Sequence, residues 1–395
     1  MDKGQMKRFE DAKDPSRSFV QVSLAGDLID RGDLDSARLV LEQVLEKDPG
    51  NLPASELLVQ AHRHAGRVAL AHKEQTRWAF QQTGISGPRA ECDQAERCLL
   101  DGDLPRGWDL YEARHQVPGL ITPQRHFTHP RWDGTPFPGK TLLLHYEQGL
   151  GDTLMFVRYA PLVKALGGRV LLAAQASLAD VAATCRGIDG VIPKGTPPPP
   201  FDVHLPLLSL PWVFQTDLST IPAEIPYLRV PEEVPNRRGL DHLLARSEGS
   251  LRVGLAWKGS SSHPRDLERS IQPGTLAPLA ALPQVAWHSF QHEDDLAEPF
   301  PGIQPLAPLL SNFSDTAHAL SAMDLVITVD TAVAHLAGAM GIPVLLMVTA
   351  HPDWRWMQGR DDSPWYPTLR LYRQPRAGDW DTVVQRVFLD LTNPD

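Results

Sequence analysis

Two short segments carry the residue types and spacings that could do chemistry. In the first, Glu147-Gln148-Gly149-Leu150-Gly151-Asp152 follows the apolar run Thr141-Leu142-Leu143-Leu144-His145. In the second, Asp330-Thr331-Ala332-Val333-Ala334-His335 follows Leu325-Val326-Ile327-Thr328-Val329, about 180 residues later. Each reads as a buried strand that stops at a tight turn and opens a helix. Helix N-termini carry free N–H groups and the positive end of the dipole, so such junctions attract anions. Asp152 is placed to take a proton from an attacking hydroxyl, provided that burial or a carboxylate neighbour such as Glu147 lifts its pKa from about 3.9. The same position equally suits a helix N-cap. Gly149 and Gly151 permit close approach of backbone to ligand. At the second turn, Thr331, Ala332 and the amides after them could cradle a diphosphate, with Asp330 beside it or capping the helix. His335 lies one turn beyond Thr331 and could donate to a phosphate or sugar oxygen, or could simply pack.

Between these turns, Trp257-Lys258-Gly259 through His263, Arg265 and Arg269-Ser270-Ile271 follows another apolar run and holds four potential cations. Such a loop can surround a leaving diphosphate with positive charge, or can be a solvated polar loop. Asp353-Trp354-Arg355-Trp356 through Trp365-Tyr366 is dense in aromatics and charge and could line the donor or acceptor side, with Trp356 and Trp365 as possible cleft residues, or pack the lobes together. Asp33-Leu34-Asp35 has the form of a metal-binding triplet but falls in a helical turn. No convincing metal site is legible, and no cofactor is expected.

These residues need elements to position them. With 395 residues, two or three domains are expected. A hydrophobic share of 42% is ordinary for a globular chain, and a net charge of −10 argues against a general nucleic-acid or anionic-membrane surface. Cys92, Cys98 and Cys185 form no metal-ligand pattern and no disulfide framework. Without a signal-like leader or a long apolar run, the chain reads as cytoplasmic, with no integral membrane segment. Residues 1–17 lack a hydrophobic period and read as a loose N-terminus. Over 18–117 a helix–turn–helix pattern repeats. Leu24, Ala25 and Leu28 mark one face and Ala37, Leu41 and Val44 the next, with a turn at Gly32. Gly66 and Ala71 recur 34 residues after Gly32 and Ala37. A weaker third copy has Ala95, Gly102 and Tyr111. This period resembles the tetratricopeptide repeat, whose stacked pairs form a groove for a peptide or partner. Residues 118–139 read as an extended connector. Alternating β and α segments predict an α/β lobe over 140–249 and another over 250–395, with a last helix near 380–391 that could cross back onto the first lobe.

Taken together, Glu147-Gln-Gly-Leu-Gly-Asp152, Trp257-Lys-Gly with His263 and Arg269-Ser-Ile, Val329-Asp-Thr-Ala-Val-Ala-His335, and Asp353-Trp-Arg-Trp through Ser363-Pro-Trp-Tyr366 resemble the GT-B glycosyltransferases of the lipopolysaccharide heptosyltransferase group (family 9). The resemblance is closest to the bacterial branch fused to tetratricopeptide repeats. The domain order also resembles O-linked N-acetylglucosamine transferase. The resemblance implies two Rossmann-like lobes with a cleft between them, behind an all-α repeat domain. It implies an acceptor-binding first lobe and a nucleotide-sugar-binding second lobe. It further implies Asp152 as catalytic base, with Asp330, Thr331 and His335 at the donor diphosphate. Arg269, then Lys258, would neutralise the leaving group. Autotransporter heptosyltransferases carry a cysteine-bound iron, and these three cysteines do not supply that pattern.

The function expected is inverting, metal-independent transfer of a sugar from a nucleotide-diphospho-sugar to a hydroxyl. The favoured acceptor is a protein held by the repeats, with a lipopolysaccharide-type glycan as the alternative. A catalytically silent repeat adaptor is a reading of a different class. A GT-B epimerase would form product without any acceptor.

Overall fold

Small and apolar residues in helical spacing build the N-terminal region. The computed structural model describes residues 15–65, 67, 70, 74, 87–120, 127–245, 250–260, 265–292 and 298–392. Helices α1 (Pro15–Asp30), α2 (Leu34–Lys47) and α3 (Leu52–His64) bury Ala25, Ile29, Ala37, Leu41, Val44, Ala54 and Leu58 against one another. Gly32 supplies the turn between α1 and α2 with φ +79°, and Asp33 caps α2 by accepting from Ser36 N–H. Leu24, expected on the packed face, is exposed, and Ile29 takes the inner position instead. Gly66 and Ala71 of the second copy lie outside the described residues, so the repeat period there rests on the sequence. The third copy forms α4 (Pro88–Leu100) and α5 (Leu104–Tyr111), with Gly102 at the turn and Ala95 and Tyr111 buried as the pattern requires. All three cysteines are buried and unbridged. No helix among the described residues is long and apolar enough to cross a membrane.

The first lobe is a four-stranded parallel sheet in the order β3-β2-β1-β4: β1 (Thr141–His145), β2 (Arg169–Ala174), β3 (Gly190–Pro193) and β4 (Val203–Pro206). The connector adds to its edge, since Trp132 N–H donates to His204 O. The helix expected over about 153–166 is broken. It forms α6 (Leu150–Phe156), a tight turn and α7 (Ala160–Ala165), because Pro161 has no N–H and is tolerated only where a helix begins. α8 (Ala179–Ala183) follows β2. Farther along the chain α9 (Arg237–Leu243) follows β4.

The second lobe is a six-stranded parallel sheet in the order β10-β9-β8-β5-β6-β7. Its strands are β5 (Leu251–Ala256), β6 (Val285–Ser289), β7 (Gln304–Pro305), β8 (Leu325–Val329), β9 (Val344–Val348) and β10 (Leu369–Arg373). The central strands β1, β2, β8 and β9 read as near-continuous apolar runs because helices or loops cover both faces of each sheet. The described helices of this lobe are α10 (Asp266–Arg269), α11 (Phe313–Ser321), α12 (Ala332–Ala339) and α13 (Trp380–Thr392). α13 does not cross back onto the first lobe. Its face of Trp380, Val383, Val384 and Val387 packs with Tyr372, Leu276 and Leu279 of the second lobe.

The order of strands reverses at β1 in the first sheet and between β5 and β8 in the second. Crevices at the carboxyl ends of strands open where the order reverses. The Glu147–Asp152 turn, Lys258 and the Asp330–Thr331 turn follow those ends. One apolar cluster runs through α4, α5 and both lobes, including Leu99, Trp108, Leu144, Phe156, Val326, Leu336 and Trp365. The two lobes and the last helical pair therefore share a core.

Candidate functional site: the crevice between the two lobes

The first turn is set by backbone capture. Gln175, just after β2, donates to Gln148 O at 3.2 Å and Gly149 O at 3.1 Å. Asp152 occupies the third position of α6, where its Oδ2 accepts from Gly149 N–H at 2.7 Å; this is one half of a capping box, since Gly149 has no side chain to supply the other. Asp152 is therefore not the N-cap, which is Gly149; it supports the helix start from inside the first turn. The other carboxylate oxygen, Oδ1, accepts from Arg355 Nη2 of the second lobe. Burial pushes the Asp152 carboxyl above its usual range, and Asp353 adds to this while Arg355 opposes it.

Glu147 does not face Asp152. It is 1% exposed and receives a bidentate grip from Arg114, with Nε to Oε2 at 3.1 Å and Nη2 to Oε1 at 2.8 Å. Arg114 follows α5 and also donates to Tyr111 O, Glu112 Oε1 and Ser209 Oγ. The expectation that Glu147 acts as the carboxylate neighbour of Asp152 is therefore corrected. A buried guanidinium fully engages it, and it ties the first turn to the helical region. The carboxylate neighbour that does raise Asp152 is Asp353.

At the second turn, Thr331 begins α12 in extended conformation and makes no side-chain cap; its hydroxyl lies 3.2 Å from Thr328 Oγ1. The first amides of α12, from Ala332 onward, thus open toward the crevice without a capping side chain. Burial, then Asp353, lifts the Asp330 carboxyl to about 6, with Arg269 and Arg355 pulling the other way. Arg269, at the end of α10, donates to Asp330 O at 2.9 Å, which fixes its guanidinium beside the turn. Lys258 leaves β5 on a backbone clamped by Gln291, whose Oε1 accepts from Trp257 N–H at 3.2 Å and Lys258 N–H at 3.0 Å. His263 lies outside the described residues.

His335 is buried. Burial, with Arg355 next, drives its pKa down to about 3, so the ring is neutral. Its Nδ1 lies 2.9 Å from Tyr366 OH, and its ring stacks on Trp356 at 5.2 Å. Across the crevice it abuts Gly151, where a Cβ would fall 2.6 Å from His335 Cδ2. His335 thus packs α12 against α6, and Gly151 is required for that approach. Gly151→Ala is expected to push the ring aside and cost about 1–3 kcal/mol, as overpacked cores do, read as a lower urea midpoint at unchanged slope. An unchanged midpoint would show that the two helices are free to part at this point.

Trp356 lies under this contact with its indole N–H near Asp330, short of a hydrogen bond of normal geometry. Trp365 does not line the crevice. It is 1% exposed, edge-on to Trp108 and Phe156, and its carbonyl accepts from Arg158 Nη2 at 2.7 Å. Both tryptophans, expected as possible cleft residues, are buried, because large aromatic faces satisfy a core as readily as a ligand.

Three further residues join the site: Asp353 and Arg355, from the segment read as lining or packing, and Arg114, which belongs to no motif singled out in the sequence. Arg355 bridges Asp152 and Asp353, with Nη1 2.7 Å from Asp353 Oδ1, and its guanidinium sits 4.0 Å from the Trp354 ring centroid. Against the penalty of burial, Arg355 holds Asp353 below the usual carboxylate range. Arg114 is the third. The Asp353–Arg355 doublet directly after the loop from β9 was the available signal, since charge inside an aromatic cluster needs a partner. The α4–α5 pair roofs this region. Trp108 lies edge-on to Trp354 at 5.3 Å, Tyr111 OH accepts from Gln148 Nε2 at 3.1 Å, and Gln358 N–H donates to Leu100 O.

Residues 28–76 match the tetratricopeptide repeat, and residues 291–372 match glycosyltransferase family 9 (heptosyltransferase). The chain is similar to protein FlbA of Caulobacter vibrioides, 28% identical over 325 residues that cover 73% of this chain and 52% of that protein. It thus spans about half the length of this curated relative. Among solved structures it is similar to a family 9 glycosyl transferase of Veillonella parvula, with TM-score 0.46 and 10% identity, covering 62% of this chain and 88% of that one. It is also similar to the ADP-heptose lipopolysaccharide heptosyltransferase II of E. coli, with TM-score 0.44 and 12% identity, covering 64% and 97%. A match to the tetratricopeptide repeat in the helical region is thus followed, in the second lobe, by a match to glycosyltransferase family 9 (heptosyltransferase).

Proposed function

We propose that this protein is an inverting, heptosyltransferase-like enzyme that moves a sugar from a nucleotide-diphospho-sugar to a hydroxyl acceptor. The observation that carries the reading is the meeting of the two turns, with α6 and α12 in contact through Gly151 and His335 and a carboxylate on one side of an anion-seeking helix start. Asp152 accepts the acceptor hydroxyl's proton as that oxygen attacks the anomeric carbon. The bond from that carbon to the diphosphate oxygen breaks, and the configuration inverts. The α12 N-terminus with Arg269 and Lys258 offsets the charge released on the nucleoside diphosphate. His335, being neutral and packed, orients α12 rather than carrying charge. Asp330 contributes its carbonyl to hold Arg269. No cofactor is called for beyond the nucleotide-sugar co-substrate.

A second reading of the acceptor, a protein held by the repeats rather than a glycan, is favoured by one observation. The α4–α5 pair packs on the first turn through Tyr111 and on Trp354 through Trp108, so a partner held by the helical region would lie near Asp152.

The test is a thermal-shift panel of the purified protein against ADP, UDP, GDP, CMP and their sugar conjugates, ADP-sugars first. A hundredfold excess over the dissociation constant gives about 2.7 kcal/mol of stabilisation. Arg269→Ala is expected to weaken binding and transfer alike by about 10- to 100-fold, the worth of a charge-assisted contact. Absence of any shift at millimolar ligand would favour the silent adaptor. A shift that survives Arg269→Ala undiminished would remove Arg269 from the donor site.

A further inference from the structure

We propose that Arg355 is a positioning residue that masks Asp152 until the donor diphosphate draws its guanidinium away. The inference rests on the transferase reading above and adds an order of events to it. Each Asp152 carboxylate oxygen has a partner, Gly149 N–H on one side and Arg355 on the other. A carboxylate held by a guanidinium is a poor proton acceptor, and the guanidinium stands where an acceptor hydroxyl must come.

Arg355 is suited to change partners. Its backbone N–H and Nη1 both bond Asp353 Oδ1, so its base is anchored while Nη2 alone reaches Asp152. The guanidinium carbon sits over the Trp354 ring, 4.0 Å from its centroid, a support that remains through a torsional swing. Its field already reaches the other turn, favouring the charged form of Asp330 and opposing protonation of His335. A diphosphate at the α12 N-terminus carries more charge than Asp152 and offers a planar cation bidentate geometry. Once the guanidinium turns to it, Asp152 loses its counter-charge and becomes the stronger base. No bond is made or broken beyond ion pairs, and no proton moves until the acceptor arrives.

Linkage gives the test. If donor and Asp152 compete for one cation, discharging Asp152 must tighten nucleotide binding, because affinities that share a partner are reciprocally coupled. Asp152→Asn keeps an oxygen for the Gly149 cap and removes the charge. Calorimetric titration with ADP, UDP, GDP and CDP is expected to show the best-bound of these at least about 5-fold tighter to Asp152→Asn than to wild type. Arg355→Ala should weaken the same nucleotide about 10-fold, Arg355→Lys should restore part of the loss, and the double variant should lose the gain. Opposite signs from the two halves of one ion pair identify a competed cation. A static brace between lobes requires both variants to bind the same or worse, and that outcome overturns the proposal while leaving the transferase reading intact. If wild type binds none of the four nucleotides, both fall together. Thermal melts of each variant separate lost binding from lost folding.

Discussion

Asp152→Asn is expected to lower the sugar-transfer rate by about 10²- to 10⁴-fold, the worth of a positioned general base, while nucleotide binding survives. The substitution is nearly isosteric, so Gly149 keeps its acceptor and α6 keeps its start. What disappears is the capacity to take a proton. A measurement of product with excess donor and acceptor, together with nucleotide affinity on the same preparation, separates these. In the active enzyme the rate should rise with pH through the Asp152 pKa and then level, since the deprotonated form works. Because burial sets that pKa above the usual carboxylate range, the limb should fall at higher pH than for an exposed aspartate. Wild-type transfer by Asp152→Asn would falsify the base assignment and leave the residue a support of the helix start and a cross-lobe ion-pair partner.

Arg114→Ala is expected to cost about 3–5 kcal/mol of folding stability, more than any other single change considered, because it strands a buried carboxylate. Arg114 is fully buried and serves Glu147 bidentately, with Glu112 and Ser209 as further partners. Arg131, which also reaches Glu112 but is 37% exposed, should cost under about 1 kcal/mol when truncated. Urea unfolding of the two variants side by side makes the comparison. Removing both charges, as in Arg114→Met with Glu147→Met, should recover much of the loss, since it is the unpaired charge that is expensive. Equal, small effects from Arg114→Ala and Arg131→Ala would mean that water reaches Glu147.

What could be read in the sequence was what the chain builds locally. A strand, a glycine turn and a helix start are contiguous, so Asp152, Asp330 and Thr331 were legible as crevice residues, and Gly32, Ala37 and Ala95 as repeat positions. Partners far along the chain were not. Glu147 meets Arg114 at a separation of 33 residues, and Asp152 meets Arg355 at 203. No periodicity links such pairs. β4, closed by Pro206, and β10, where Leu369–Arg373 alternates with charge at the margin of the sheet, carry no apolar run that marks them as strands. Trp356 and Trp365 were misplaced because residue type does not say whether an aromatic faces ligand or core.

Trp108 touches Phe156 from the first lobe and Trp354 and Trp365 from the second, at ring separations of 6.1, 5.3 and 6.3 Å. It is therefore a keystone, supplied by the helical region and wedged where two halves meet. Swinging the lobes apart would expose this indole and its neighbours, and about 200 Å² of aromatic surface corresponds to roughly 5 kcal/mol per ring. Any parting of the lobes at this point carries that cost, so the keystone weights the molecule toward the closed span.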